Sequence, residues 1–68
     1  MKLRDIVDVE KEFSGEDPNR EIELVKDING AKVYRDKGMS EVCFLDTPAG
    51  WFSTNNISRD YPDLDIEE

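Results

Sequence analysis

The hydrophobic and polar positions in the middle of the chain predict a β-hairpin. Residues 21–28 are predicted to form a strand that places Ile22, Leu24 and Ile28 on one face. Residues 31–36 are predicted to return beside it as the partner strand. A polar two-residue tip separates the two segments, which is the commonest length for a hairpin loop.

The tip of this hairpin, Asn29-Gly30, also predicts the register of the two strands. A type I′ turn needs a positive φ at both central positions, and Asn-Gly supplies it with little strain. The expected cross-strand pairs are Ile28 with Ala31, Asp27 with Lys32, and Val25 with Tyr34. One pair is apolar, one is oppositely charged and one joins a β-branched residue to an aromatic ring, and all three are favourable combinations.

The next apolar segment, residues 41–46, predicts a third strand. Val42 and Phe44 would lie on one face, with Cys43 and Leu45 on the other. Because both faces are apolar, we expect this strand to lie in the centre of the sheet.

The N-terminal segment, residues 2–13, favours a short helix or turn. The apolar positions that share one helical face are Leu3, Ile6, Val7 and Phe13. Val9 lies off that face. A strand with Val7 and Val9 on one side remains the alternative.

These segments together predict a small β-rich fold, either all-β or α+β. We expect an antiparallel meander or open small barrel of three to five strands, with one short N-terminal helix as an option. Residues 1–57 would form a single small domain, and residues 58–68 an acidic C-terminal tail or edge strand. Two domains do not fit into 68 residues, because each would fall below the size that folds alone.

The net charge of the chain argues against some classes of binding partner. The chain contains nine Lys and Arg residues and seventeen Asp and Glu residues, so its formal net charge is −8. Residues 1–25 contain four basic and eight acidic residues, for a net charge of −4. Residues 58–68 contain one basic and five acidic residues, also for a net charge of −4. Residues 26–57 contain four basic and four acidic residues and are therefore neutral. We therefore expect no direct binding to nucleic acid or to an anionic membrane, since both are negatively charged.

Short apolar runs and the lack of a signal-peptide pattern lead us to expect a cytoplasmic protein.

Few residues offer catalytic or metal-binding chemistry. The chain has no His and a single Cys, which excludes His-based triads, His metal clusters and an internal disulfide. Cys43 lies between apolar neighbours and is expected to pack in the core. Asp63-x-Asp65-x-Glu67 resembles the start of a calcium loop but lacks the Gly and Glu that should follow. We therefore predict a protein that is not an enzyme and that has no cofactor and no metal.

Residues 50–57, Gly-Trp-Phe-Ser-Thr-Asn-Asn-Ile, resemble the end of a Src-homology-3 domain. In that family a Gly-aromatic-hydrophobic segment ends one strand and enters the last through a short 3₁₀ turn. The resemblance implies a small β-barrel. It does not imply binding of proline-rich peptides, because Ser53 and Asn56 replace the Pro and Tyr of the family's groove.

These observations lead to three functional hypotheses. The first is an acidic protein that docks on a basic surface of a partner protein; a narrower version is an inhibitor of phage type that imitates nucleic acid. The second is a Src-homology-3-like interaction module with aromatic contacts around Trp51. The third is a small structural subunit, for which a homo-oligomer is an option. The candidate partner-binding residues are Asp60, Asp63, Asp65, Glu67, Trp51 and Phe52.

Overall fold

Four antiparallel strands form an open sheet in the order in which they follow along the chain. A computed structural model describes residues 1–28 and 30–64. The strands are β1 (Ile22–Ile28), β2 (Ala31–Asp36), β3 (Cys43–Thr47) and β4 (Gly50–Thr54). The predicted fold class, a small β-rich antiparallel meander that stays open, is confirmed.

Short helical segments flank the sheet at both ends of the described chain. A 3₁₀ turn (Leu3–Asp5) and helix α1 (Val9–Glu12) precede β1. Helix α2 (Ile57–Asp60) and a second 3₁₀ turn (Pro62–Leu64) follow β4. We refer to residues 1–20 as the N-terminal layer and to residues 57–64 as the C-terminal layer.

The two layers cover opposite faces of the sheet. Tyr34 and Phe44 point to the face that packs against the N-terminal layer, which we call the N-terminal face. Val33 and Leu45, their neighbours along β2 and β3, point to the C-terminal face. The prediction that β3 is a central strand with two apolar faces is thus confirmed.

The cores on the two faces differ in composition. The buried residues on the N-terminal face are Leu3, Val9, Ile22, Tyr34 and Phe44. Those on the C-terminal face are Ala31, Val33, Cys43, Leu45, Ile57 and Leu64. The first core therefore contains two buried aromatic rings, those of Tyr34 and Phe44, whereas the buried residues of the second core include no aromatic residue.

The predicted hairpin register holds next to the turn and fails further away. Ile28 pairs with Ala31, and Asp27 pairs with Lys32, as expected. Gly30 has a φ of +77°, which fits the predicted turn, while Asn29 lies outside the described residues.

The predicted pair of Val25 with Tyr34 is wrong, because a β-bulge interrupts β1. Tyr34 pairs with Leu24, and the register shifts between Leu24 and Lys26. The extra residue reverses the alternation of side chains. The prediction that Ile22, Leu24 and Ile28 share a face is therefore also wrong: Ile28 packs on the C-terminal face, opposite Ile22.

The N-terminal segment contains two short helical pieces instead of one helix. The chain leaves the helical conformation after Asp5, and Asp8 begins α1 as its N-cap. This restart changes which side of the helix faces the sheet, so Val9 is buried although the sequence placed it off the apolar face. The helical alternative for residues 2–13 is confirmed in this divided form.

The C-terminal segment, as far as Leu64, consists of two short helical pieces, α2 and the second 3₁₀ turn. Helix α2 runs across the predicted boundary at residue 58, and Leu64 is buried against the sheet. The division into residues 1–57 and 58–68 remains a prediction. Residues 65–68 lie outside the described part of the chain.

Candidate interaction surfaces

The N-terminal layer exposes most of its carboxylates. Leu3 and Val9 are buried against the sheet, so the opposite side of each short helical segment faces outward. Two cationic side chains of this layer, Arg4 and Lys11, are exposed. The exposed carboxylates of the layer are those of Asp5, Asp8, Glu10, Glu12 and Asp17. Five negative and two positive side chains leave an excess of three negative charges on this outer surface.

Some of these carboxylates have local structural roles. Asp5 accepts a hydrogen bond from the Lys2 backbone N–H (2.9 Å), and Asp8 caps α1 by accepting from the Lys11 N–H (3.3 Å). Within residues 1–28 and 30–64, the carboxylates of Glu10 and Glu12 have no hydrogen bond or ion pair. These two carboxylates are therefore the most available to a partner.

An open depression lies beside these carboxylates. Its volume is about 410 Å³, and its lining includes residues of α1 and of the following loop. Val7, Val9 and Pro18 form the apolar part of the lining. Three carboxylates, those of Asp8, Glu10 and Glu16, and one guanidinium, that of Arg4, form its charged part. Such a lining suits a long basic side chain, whose aliphatic stem packs on apolar surface while its charged end stays near anions.

A partly buried ion pair ties the N-terminal layer to the sheet. Arg20 donates a hydrogen bond to Asp36 at the end of β2 and another to Glu16 (2.8 Å). Asp36 is only 4% exposed and also accepts from the backbone N–H groups of Gly38 (2.7 Å) and Met39 (3.0 Å). Every one of these contacts is internal, so Asp36 serves the fold and does not face a ligand.

The surroundings of Asp36 hold it in the charged form. Burial raises the pKa of its carboxyl, but the hydrogen bonds from Arg20, Gly38 and Met39 act in the opposite direction. The net effect lowers the pKa of Asp36 below its usual range.

Sequence reasoning did not identify the Arg20–Asp36 pair. The two residues are 16 positions apart, and no spacing rule connects them. The only local signal was an Asp two residues before Gly38, a pattern typical of a turn in which the Asp side chain accepts the backbone N–H.

Of the predicted tail residues, Asp60 is engaged and Asp63 is exposed. Asp60 accepts hydrogen bonds from the Thr54 hydroxyl (2.7 Å) and from Nε of Arg59 (2.8 Å). The bond from Arg59 is the main cause that lowers the pKa of Asp60. Asp65 and Glu67 lie outside the described residues.

The two adjacent aromatic residues of β4 point to opposite faces of the sheet. Trp51 stacks on Tyr34 with ring centroids 6.2 Å apart and meets the edge of Phe13 at 6.1 Å. Phe52 is 39% exposed and lies 6.1 Å from the Tyr61 ring. Phe52 therefore offers more open aromatic surface than Trp51, which is committed to the N-terminal core.

Among the residues described, which end at Leu64, the two acidic ends of the chain do not form one continuous surface. The N-terminal layer covers one face of the sheet, and the C-terminal layer covers the other. The exposed carboxylates of α1 and that of Asp63 therefore lie on opposite sides of the molecule.

Among residues 1–28 and 30–64, no group of three or more His, Cys, Asp or Glu side chains could hold a metal ion. In the same residues, every helix is too short or too polar to cross a membrane. Cys43 is buried in the core of the C-terminal face, as its apolar neighbours indicated.

Comparison with known proteins adds no family: no family model, curated protein or solved structure matches this chain. A small open antiparallel sheet is not enough to identify a Src-homology-3-like fold. The resemblance of residues 50–57 to that family remains a prediction.

Proposed function

We propose that this protein is a non-enzymatic binding protein that docks on a basic surface of a partner protein. The observation that carries the proposal is the set of five exposed carboxylates on the N-terminal layer. A net charge of −8 would steer a basic partner toward the molecule and raise the association rate.

The depression beside α1 supports a specific mode of contact. A Lys or Arg side chain of the partner would lie with its stem against Val7, Val9 and Pro18. Its charged end would meet Glu10, which has no partner among the described residues. One anchored side chain of this kind adds orientation to an otherwise long-range attraction.

The proposal stops at a basic protein surface and does not extend to imitation of nucleic acid. A mimic would need carboxylates in rows on one side of the molecule. The exposed carboxylates of α1 and the C-terminal Asp63 lie on opposite sides, which favours docking through one layer.

The experiment is a capture from cell lysate, followed by binding isotherms of the captured protein at several salt concentrations. We expect affinity to fall steeply as salt rises, because exposed charges are screened. The double variant Glu10→Gln/Glu12→Gln should weaken binding by roughly threefold to tenfold.

The matched control is Glu41→Gln/Asp63→Asn, which changes the net charge equally outside the N-terminal layer. Both of its residues are exposed. It should reduce affinity much less than the α1 double variant. A partner that stays bound at high salt, or equal losses in the two double variants, would overturn docking through this layer.

A further inference from the structure

We propose that the outer edge of β4 pairs with the same edge of a second copy of this chain. The two β4 strands would run antiparallel, with Phe52 opposite Phe52 of the second copy, and would join two four-stranded sheets into one of eight strands. This inference rests on the edge strands of the sheet and is independent of the acidic layers.

The two edges of the sheet differ in how they are protected. Strand β1 carries the bulge at Val25 and charged side chains such as Lys26 and Asp27. Its start is covered by the N-terminus, where the Ile22 N–H donates to the carbonyl of Met1 (2.8 Å). Bulges, edge charges and covering segments are the usual means by which proteins prevent edge pairing.

Strand β4 has none of these protections. Its sequence, Gly-Trp-Phe-Ser-Thr, contains no charge and no Pro, and its register with β3 is regular from Gly50 to Thr54. Among the described residues, no strand pairs with its outer side. Alternate backbone N–H and C=O groups on that side are therefore open to another strand.

The neutral region extends beyond β4 on both sides. Residues 47–58 contain no charged side chain, in a chain in which 38% of residues are charged. Eight of these twelve residues are exposed: Pro48, Ala49, Gly50, Phe52, Ser53, Asn55, Asn56 and Ser58. An exposed surface without charge is unusual for this protein and marks a place where two anionic molecules can meet.

The same charge pattern favours a second copy over a foreign peptide. A basic partner is attracted to the carboxylates and not to this neutral edge. Two copies that meet along β4 bring no charged strand residues against each other, and each strand matches the other in length. The symmetric register also sets Phe52 against its equivalent, and aromatic cross-strand pairs are favourable.

The test is the mass of the full chain across a dilution series, measured by sedimentation equilibrium. We expect twice the 7.9 kDa of one chain at millimolar concentration and the mass of one chain after dilution. Added salt should strengthen this association, because it screens the repulsion between two copies that carry −8 each.

Variants at Phe52 test the edge directly. Phe52→Lys places like charges opposite each other and should weaken the dimer by about tenfold or more. Ser14→Lys, on an exposed loop, is the control with the same change of charge. An equal mixture of Phe52→Lys and Phe52→Glu should form a mixed dimer that is tighter than the dimer of either variant alone.

Three results would overturn the proposal. One is a single-chain mass at every concentration and salt. Another is a dimer that Phe52→Lys and Ser14→Lys affect equally. The third is a failure of the Lys and Glu variants to pair when circular dichroism shows that both are folded.

Discussion

The two faces of the sheet are covered in different ways, although the covering segments are of similar kind. The N-terminal layer is tied to the sheet by polar contacts between residues far apart in the chain. Arg20 donates a hydrogen bond to Asp36 in β2, and the Ile22 N–H in β1 donates to the Met1 carbonyl (2.8 Å). The C-terminal layer is held by apolar packing and by short-range bonds, such as that from Thr54 to Asp60.

This difference separates two means of attaching a short segment to a sheet. Segments as short as α1 and α2 are not stable helices alone, so tertiary contacts must hold both. On the N-terminal face a partly buried ion pair contributes, and removal of Asp36 would leave Arg20 with Glu16 as its remaining carboxylate. On the C-terminal face the corresponding pair, Arg59 with Asp60, is exposed to water and contributes little.

The largest expected effect is therefore a difference in stability between variants of two aspartates, Asp36 and Asp60, each of which accepts a hydrogen bond from an arginine. Asp36→Ala should lower the free energy of unfolding by about 3 kcal/mol, because two backbone N–H groups lose their acceptor and Arg20 keeps only Glu16. Asp60→Ala should change it far less. Urea unfolding followed by circular dichroism measures both, and equal losses would show that the faces are attached alike.

Asp36, on the N-terminal face, should contribute to the pH dependence of stability. The pKa of Asp36 is lowered in the folded protein, so its contribution is fully present above the unfolded value of about 3.9 and is lost as pH falls through the folded value. The difference in stability between wild type and Asp36→Asn should thus be constant above about pH 5 and shrink below about pH 4. A difference that does not depend on pH would contradict this role.

The smallest expected effect is a difference in local opening. The amides of Leu3 and Ile22, which bond to Arg20 and Met1, should exchange with solvent deuterium more slowly than that of Tyr61. A ratio of roughly tenfold corresponds to about 1.4 kcal/mol in opening free energy. NMR-detected exchange measures it, and a Tyr61 amide as protected as that of Ile22 would show that the C-terminal layer is attached equally firmly.

Local sequence signals predicted where the strands lie better than they predicted the face of the sheet to which each side chain points. The turn that ends at Gly30 set the pairs next to it, and the apolar residues on both sides of β3 marked it as central. The bulge at Val25 has no comparable signal, because it depends on how β1 fits β2 along its whole length. Its effect was large: one extra residue moved Ile28 to the other face.

The candidate surfaces were predictable only in part. Alternation along β4 placed Trp51 and Phe52 on opposite sides, as expected. Which of them stays exposed depends on what covers each face, and that is decided by distant residues such as Phe13 and Tyr61. The pair of Arg20 and Asp36 could not be predicted, since contacts between distant positions leave no periodic trace in one sequence.

The sequence by itself determined the strands β2 and β3, the cross-strand pairs next to the first turn, the excess of negative charge and the neutral stretch at residues 47–58. These features follow from alternation, turn chemistry and composition, which are local properties. Only the tertiary structure decided that the two layers cover opposite faces. The physical reason is that a sheet with two apolar faces needs cover on both, and the side each short segment takes depends on contacts across the whole fold.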